Sequence, residues 1–124
     1  MLVERDLLHA VRVEFGRMRN GRLLRNNTGA AKNANGALVH FGHPGAPDLT
    51  GILGGSDICP HCDRVVRHQR GQWIGLELKT DTGIISPAQK KYRAMIEKYG
   101  GKIAVVRSLE DAREIMRFWG AEWE

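Results

Sequence analysis

Cysteine is scarce in this chain, with two residues among 124, and both lie within residues 59 to 62. Two cysteines this close together exclude a disulfide framework and leave metal binding or thiol redox chemistry for them. Long apolar runs are also missing, since none approaches the roughly 18 residues of a membrane span. Glu4, Arg5 and Asp6 stand where a signal peptide would be apolar. We therefore expect a cytoplasmic protein with no membrane partner.

Aromatic residues are few, at 6% of the chain, and they do not interleave with the basic residues. A stacking platform for single-stranded nucleic acid is therefore not indicated. Positive charge is abundant by comparison, with 19 Lys and Arg against 14 Asp and Glu and a net charge of +5. This excess favours a polyanionic partner such as nucleic acid. The length predicts a single domain over residues 1 to 124.

Hydrophobic periodicity and helix caps predict alternating helices and strands. Apolar residues recur every three or four positions from Val3 to Met18, which is typical of an amphipathic helix. Ser86, Pro87 and Gln89 form the start signal of a second helix. The predicted elements are a helix over 3–18, extended pieces near 23–25 and 37–41, strands over 47–53 and 72–80, a helix over 86–99, a strand over 102–107 and a helix over 108–119. This order predicts an α/β fold around one mixed sheet, with residues 54–71 as an insertion after Gly54-Gly55.

Charged residues lie at the ends of two predicted strands. Glu77 and Lys79 are two residues apart, so their side chains project from the same face. Asp48 begins the strand before the insertion, and in a hairpin its carboxylate would meet that of Glu77. Two carboxylates hold a hard divalent cation, and a lysine nearby offers positive charge to a phosphodiester under attack. The alternative is an exposed strand face that carries Glu and Lys for solubility.

Pro47-Asp48 followed by Glu77-x-Lys79 resembles the signature of the PD-(D/E)XK nuclease superfamily. The blocks RNNTGA (25–30), FGHPGAPDLTGIL (41–53), WIGLELKTDTGIISPAQKKY (73–92) and GGKIAVVRSLEDA (100–112) resemble its VRR-NUC family. The resemblance implies a restriction-endonuclease-like core, with a central mixed sheet flanked by helices, and a Mg²⁺- or Mn²⁺-dependent endonuclease. Asp48, Glu77 and the Leu78 carbonyl oxygen would hold the metal, and Lys79 would act on the nucleophilic water.

Two further residues correspond to family positions. Gln89 matches the glutamine of the helix after the E-x-K strand and would support the site or contact the phosphate, but it also completes a capping box with Ser86. Glu4 matches the acidic residue that opens the first helix and would be a further metal ligand. Its alternative is an ordinary first-turn carboxylate favoured by the helix dipole. Glu14, on the same helix, competes with Glu4 for this role.

The resemblance also implies DNA as the partner and a homodimer. Small stand-alone members of the family look like homodimers that act on branched DNA such as four-way junctions. Two clusters of cations are candidates for phosphate contacts, and their alternative is a solvated face. The first comprises Arg17, Arg19, Arg22, Arg25 and Lys32, and the second comprises Lys90, Lys91 and Arg93.

The cysteine-bearing insertion departs from the family pattern. Cys59 and Cys62 have the spacing of a zinc knuckle, and His68 follows. A structural zinc would need a fourth ligand from His61, His40, His43 or another subunit, and the alternative is a pair of free thiols. The tetrapeptide Cys59-Pro60-His61-Cys62 is also similar to the active site of thioredoxin-like oxidases, which makes a thiol redox protein one rival function. A DNA-binding module without catalysis is another.

Overall fold

A computed structural model describes residues 3–26, 29–58 and 61–123, with the backbone alone at 29, 41, 56–58 and 65–70. Three helices and six strands alternate along this part of the chain. They are α1 (Glu4–Glu14), β1 (Gly21–Arg25), β2 (Gly29–Lys32), β3 (Leu38–Phe41), β4 (Leu49–Ile58), β5 (Val65–Leu78), α2 (Pro87–Lys98), β6 (Lys102–Val106) and α3 (Leu109–Phe118). None of the described helices has the length and apolar character that a membrane crossing requires.

Four strands form the central sheet in the order β1-β4-β5-β6. β1 and β5 are each antiparallel to β4, whereas β6 runs parallel to β5. A parallel neighbour needs a crossover, and α2 supplies it between β5 and β6. β2 and β3 pair separately as a two-stranded sheet. The predicted α/β class, with one mixed sheet flanked by helices, is confirmed.

The core lies between one face of the sheet and the helices α1 and α3. Ile74, Leu76 and Leu78 of β5 are fully buried there, as the alternation along this strand predicts. They pack with Leu7 of α1 and Met116 of α3 in one cluster. No residue of α2 is buried, and this helix lies over the opposite face of the sheet. That opposite face carries Glu77.

The predicted boundaries were wrong in two places. Gly54-Gly55 does not end the strand; β4 continues to Ile58 and pairs with β5, with a bulge between Leu53 and Gly55. Glycine inside a strand often marks a bulge of this kind rather than the end of the strand. Residues 54–71 are therefore not an irregular excursion but mostly the far end of a hairpin. The first helix ends at Glu14 rather than Met18, although Phe15 and Met18 remain buried beyond its end.

Glu14 ties the first helix to the end of the chain. Its carboxylate accepts hydrogen bonds from Arg113 Nη2 of α3 at 3.1 Å and from Trp123 Nε1 at 2.9 Å. The ring of Trp123 meets Phe15 edge to face at 4.7 Å between centroids. The hydrogen bonds from Arg113 and then Trp123 lower the pKa of Glu14. This group therefore serves the packing of α1, α3 and the C-terminal segment.

Candidate active site

Asp48 and Glu77 lie opposite each other on neighbouring antiparallel strands. Leu49 of β4 pairs with Leu76 of β5. Because the two strands are antiparallel, the residue before Leu49 faces the residue after Leu76, so Asp48 lies opposite Glu77. This register brings the two carboxyl groups close enough for Asp48 to act on the pKa of Glu77. Asp48 Oδ2 also accepts a hydrogen bond from the Leu78 backbone N–H at 2.8 Å, which holds this carboxylate against β5. The hairpin that the sequence left conditional thus brings the two acids together.

Asn26 and Gly45 hold the segment that leads into Asp48. Asn26 donates its side-chain amide to the Pro47 carbonyl at 3.2 Å and its backbone N–H to the Asp48 carbonyl at 2.8 Å. Gly45 has a φ of +83° and lies so close to the Ala88 carbonyl of α2 that a Cβ would overlap it. Sequence reasoning did not single out either residue, although both lie in the quoted blocks.

Glu77 is 6% exposed and is the one buried charged side chain among the described residues. Burial first, and then the charge and hydrogen bond of Asp48, raise its pKa to about 8, although the charge of Lys79 opposes the shift. The pair therefore shares a proton near neutral pH, as two carboxyl groups in contact do. A divalent cation would take the place of that proton. The site is chemically suited to such a cation.

Two carboxylates alone do not complete the coordination of a divalent metal. Across the described ranges no three His, Cys, Asp or Glu side chains gather as a ligand set. Mg²⁺ commonly binds to one or two carboxylates and fills its other positions with water and substrate phosphate. The two carboxylates of Asp48 and Glu77 fit this mode of Mg²⁺ coordination. The Leu78 carbonyl oxygen as a further ligand stays a prediction.

Lys79 follows directly after β5 and lies beside the carboxylate pair. Its backbone N–H donates to the Val106 carbonyl at 3.0 Å. Its positive charge lowers the pKa of Glu77, in opposition to burial and to Asp48. Lys79 and Glu4 line one cavity of about 290 Å³. The site thus combines two acids with a positive charge.

Arg107 organises the loop that follows Lys79. Its guanidinium Nη1 donates to the carbonyls of Thr80 at 2.6 Å and Gly83 at 2.9 Å, and more weakly to that of Asp81 at 3.4 Å. These bonds close residues 80–83 into a defined turn next to the site. The sequence contains no signal for this role, because its pattern predicts only that Arg107 is the last, polar residue of a buried strand.

Gln89 performs both functions that the sequence left as alternatives. Its Oε1 accepts from the Ser86 backbone N–H at 2.8 Å, and its own N–H donates to Ser86 Oγ at 3.1 Å, which forms the capping box. Its Nε2 donates to Glu77 Oε1 at 2.8 Å. The cap orients the amide so that its donor end faces Glu77. Gln89 therefore links the start of α2 to the carboxylate pair.

A Gln89→Glu variant should separate the two roles. Glutamate preserves the capping box, so the start of α2 should stay intact. A third carboxylate in place of the amide donor would repel the carboxylate pair, so we expect a moderately lower melting temperature without metal. We also expect the DNA cleavage that the resemblance implies to fall about tenfold, as for other changes beside metal ligands. Thermal unfolding and cleavage rates measured on the same preparation test this. A large loss of stability with normal cleavage per folded molecule would contradict it.

Glu4 and Glu14 occupy different surroundings. Glu4 contributes to the raised pKa of Glu77 through its charge and lines the cavity with Lys79. Glu14 is held by Arg113 and Trp123 instead. Of the two competing acids, Glu4 is the one whose charge reaches Glu77, although the described residues do not bring it together with Asp48 and Glu77 as a third ligand.

These surroundings predict opposite effects for matched substitutions. Glu4→Ala should lower cleavage about tenfold, as loss of a group beside metal ligands does, with little change in melting temperature. Glu14→Ala should lower the melting temperature, because Arg113 and Trp123 lose their acceptor, and should leave cleavage per folded molecule unchanged. Equal effects of the two variants on cleavage would contradict the assignment.

The predicted DNA-binding cations are dispersed over the molecule. Arg22 donates to the carbonyls of Met18 at 2.8 Å and Gly21 at 2.7 Å, so its guanidinium serves the turn after α1. The Arg19 backbone N–H donates to the Glu122 carbonyl beside the C-terminal segment. Lys90 lies near the carboxylates, lining a cavity with Glu77. The remaining predicted cations are exposed, namely Arg17, Arg25, Lys32 and Lys91.

The candidate zinc ligands are only partly described. Cys59 and the side chain of His68 lie outside the described residues, while His61 and Cys62 are exposed. The zinc site therefore stays a prediction. A thioredoxin-like site needs a helix directly after its first cysteine, whereas Cys62 is followed by strand β5. This placement offers no support for the redox alternative.

Comparisons of the chain with protein-family models, with curated proteins and with solved structures each found no match. The function is therefore inferred from the residues of the site. Those residues are two opposed carboxyl groups, an adjacent lysine and a glutamine that orients one of the acids.

Proposed function

We propose that this chain is a metal-dependent endodeoxyribonuclease of the PD-(D/E)XK type, with a restriction-endonuclease-like core similar to that of VRR-NUC nucleases. The observation that carries the proposal is the contact between Asp48 and Glu77, with the charge of Lys79 beside them. Two carboxyl groups forced together off the central sheet are unfavourable for folding alone. A divalent cation bound between the two carboxylates would offset their repulsion.

Each residue of the site would have a separate role in phosphodiester hydrolysis. Asp48 and Glu77 would hold Mg²⁺ or Mn²⁺, which supplies Lewis acidity and lowers the pKa of water. Lys79 would orient the nucleophilic water and stabilise the negative charge that develops on the phosphate. Gln89 keeps Glu77 in one orientation through its 2.8 Å hydrogen bond. Glu4 and the Leu78 carbonyl oxygen are the candidates for additional oxygen ligands.

The charge of the chain favours a polyanionic substrate, and the resemblance to VRR-NUC nucleases implies that this substrate is DNA. The net charge is +5, and Lys90 and Arg93 line the cavity that also contains Glu77. Binding through phosphate contacts should weaken steeply as salt concentration rises. A homodimer acting on branched DNA such as four-way junctions extends this proposal, since two active sites would cut two strands.

The test is cleavage of single-stranded, duplex, flapped and four-way-junction DNA with Mg²⁺, Mn²⁺ or EDTA. Lys79→Ala, purified in parallel, detects contaminating nucleases, and Lys98→Ala at the far end of α2 is the matched control. We expect metal-dependent cutting by the wild type and Lys98→Ala and none by Lys79→Ala. If the wild type binds DNA but never cuts it, a non-catalytic DNA-binding module replaces the nuclease as the function.

A further inference from the structure

A second cavity lies between α2 and the sheet, directly beside the carboxylate pair. Its volume is about 170 Å³. The wall consists mainly of apolar side chains, namely Pro47, Ile85, Ile103 and Val105. Glu77 forms part of the same wall. Whatever occupies this cavity therefore contacts the group that would hold the metal.

The size and lining of the cavity suit a single planar ring. An apolar cavity of roughly 150 Å³ accepts a benzene molecule, so 170 Å³ accommodates a six-membered heterocycle. In DNA that description fits a pyrimidine base. A base stacked in a duplex cannot enter a protein pocket unless it leaves the stack.

Positive charge at the cavity complements the backbone of such a nucleotide. Lys90 and Arg93 line it from α2, and both residues are exposed. Arg93 is also paired with Glu97, one turn further along the helix. Phosphates on either side of an unstacked base would lie near these two cations.

Ile84 provides an independent observation at the same place. Its side chain is 85% exposed and therefore accessible to a bound nucleic acid. It directly precedes Ile85, which lines the cavity. The loop before it is held by Arg107 and the residue after Ile85 begins the capping box. An apolar side chain on a fixed loop can enter a base stack as a wedge.

We propose that this cavity receives one unstacked pyrimidine base, from the nucleotide adjacent to the cleaved phosphate, while Ile84 fills the space the base leaves. The inference rests on the proposed nuclease function and extends it to the substrate. It predicts preference for DNA in which a pyrimidine is already unpaired, since such a base costs less to extrude. Branch points and mismatches contain bases of that kind.

The first experiment uses pyrrolo-cytosine, a fluorescent pyrimidine that brightens when it unstacks, scanned across the positions next to the mapped cleavage site. Binding is measured with Lys79→Ala, which should not cut. We expect increased fluorescence at one position. Adding Ile84→Ala should reduce this increase, whereas Phe118→Ala, at an equally exposed position on α3, should not. Unchanged fluorescence at every position, with binding demonstrated, would overturn the proposal.

The second experiment fills the cavity with Val105→Phe in an otherwise wild-type chain. Cleavage of normal DNA should fall about tenfold, because the base must leave the stack without a pocket to receive it. Cleavage of DNA with an abasic site at that position should fall much less, and the remaining activity also shows that the variant is folded. Equal losses on both substrates would overturn the inference and leave the nuclease proposal standing. Absence of cleavage by the wild type would overturn both.

Discussion

Replacing Glu77 with Gln should abolish DNA cleavage and at the same time stabilise the metal-free protein. Loss of a charged ligand should lower the cleavage rate by about a hundredfold or more. The glutamine keeps the shape of the side chain but cannot ionise, so it removes an unfavourable buried charge beside Asp48. Above neutral pH we expect the free energy of unfolding to rise by about 1–3 kcal/mol.

The pH dependence follows from the raised pKa. In the unfolded chain Glu77 ionises near 4.5, whereas in the folded metal-free protein its pKa is about 8. Between these values the folded state binds more protons than the unfolded state, so the free energy of unfolding falls as pH rises. The wild type should therefore lose stability from about pH 5 to pH 8, and Glu77→Gln should lose less.

Thermal unfolding in EDTA at a series of pH values tests this, with Glu114→Gln, an exposed acid on α3, as the control. Mg²⁺ competes with the shared proton, so it should raise the wild-type melting temperature more at pH 8 than at pH 6. It should have no such effect on Glu77→Gln. A pH profile that is the same for wild type and Glu77→Gln would show that the Glu77 pKa is not raised.

Arg107→Ala should lower both the stability of the fold and the turnover rate, although Arg107 lies outside the carboxylate pair. Its guanidinium donates to three carbonyls of residues 80–83, and losing them should cost about 2 kcal/mol of unfolding free energy. The loop begins immediately after Lys79 and leads to Ile84. We therefore expect the turnover rate to fall through misplacement of Lys79, while affinity for Mg²⁺ changes little.

Arg107→Lys and Arg12→Ala are the controls for this prediction. Lysine keeps the charge, but a compact ammonium group on a flexible stem replaces the planar, pre-organised guanidinium, so it should recover only part of the stability. Arg12 is an exposed cation on α1 and should be neutral. Urea unfolding and steady-state cleavage kinetics provide the measurements. Full recovery by lysine would show that charge, rather than loop geometry, explains the effect of Arg107.

Local signals in the sequence predicted a helix or strand correctly where the residues that determine it lie within one short segment. Ser86, Pro87 and Gln89 marked the start of α2, and Ser108 marked that of α3. The alternation along β5 identified both its buried face and the face of Glu77. β2 was missed, because Gly-Ala-Ala-Lys has no strand pattern and is extended through pairing with β3. The continuation of β4 past Gly54 was missed for the same reason.

The sequence by itself determined the α/β class, the main helices and strands, and the identity of the acids and the lysine, since periodicity, caps and residue chemistry are local. Only the tertiary structure decided that Asp48 lies against Glu77, that Gln89 both caps α2 and binds Glu77, and that Glu4 rather than Glu14 approaches the site. The tertiary structure also decided that Arg107 holds the loop of residues 80–83 and that a cavity lies beside Glu77. Each depends on strand register and helix packing between segments distant in the chain, and no local pattern encodes those distances.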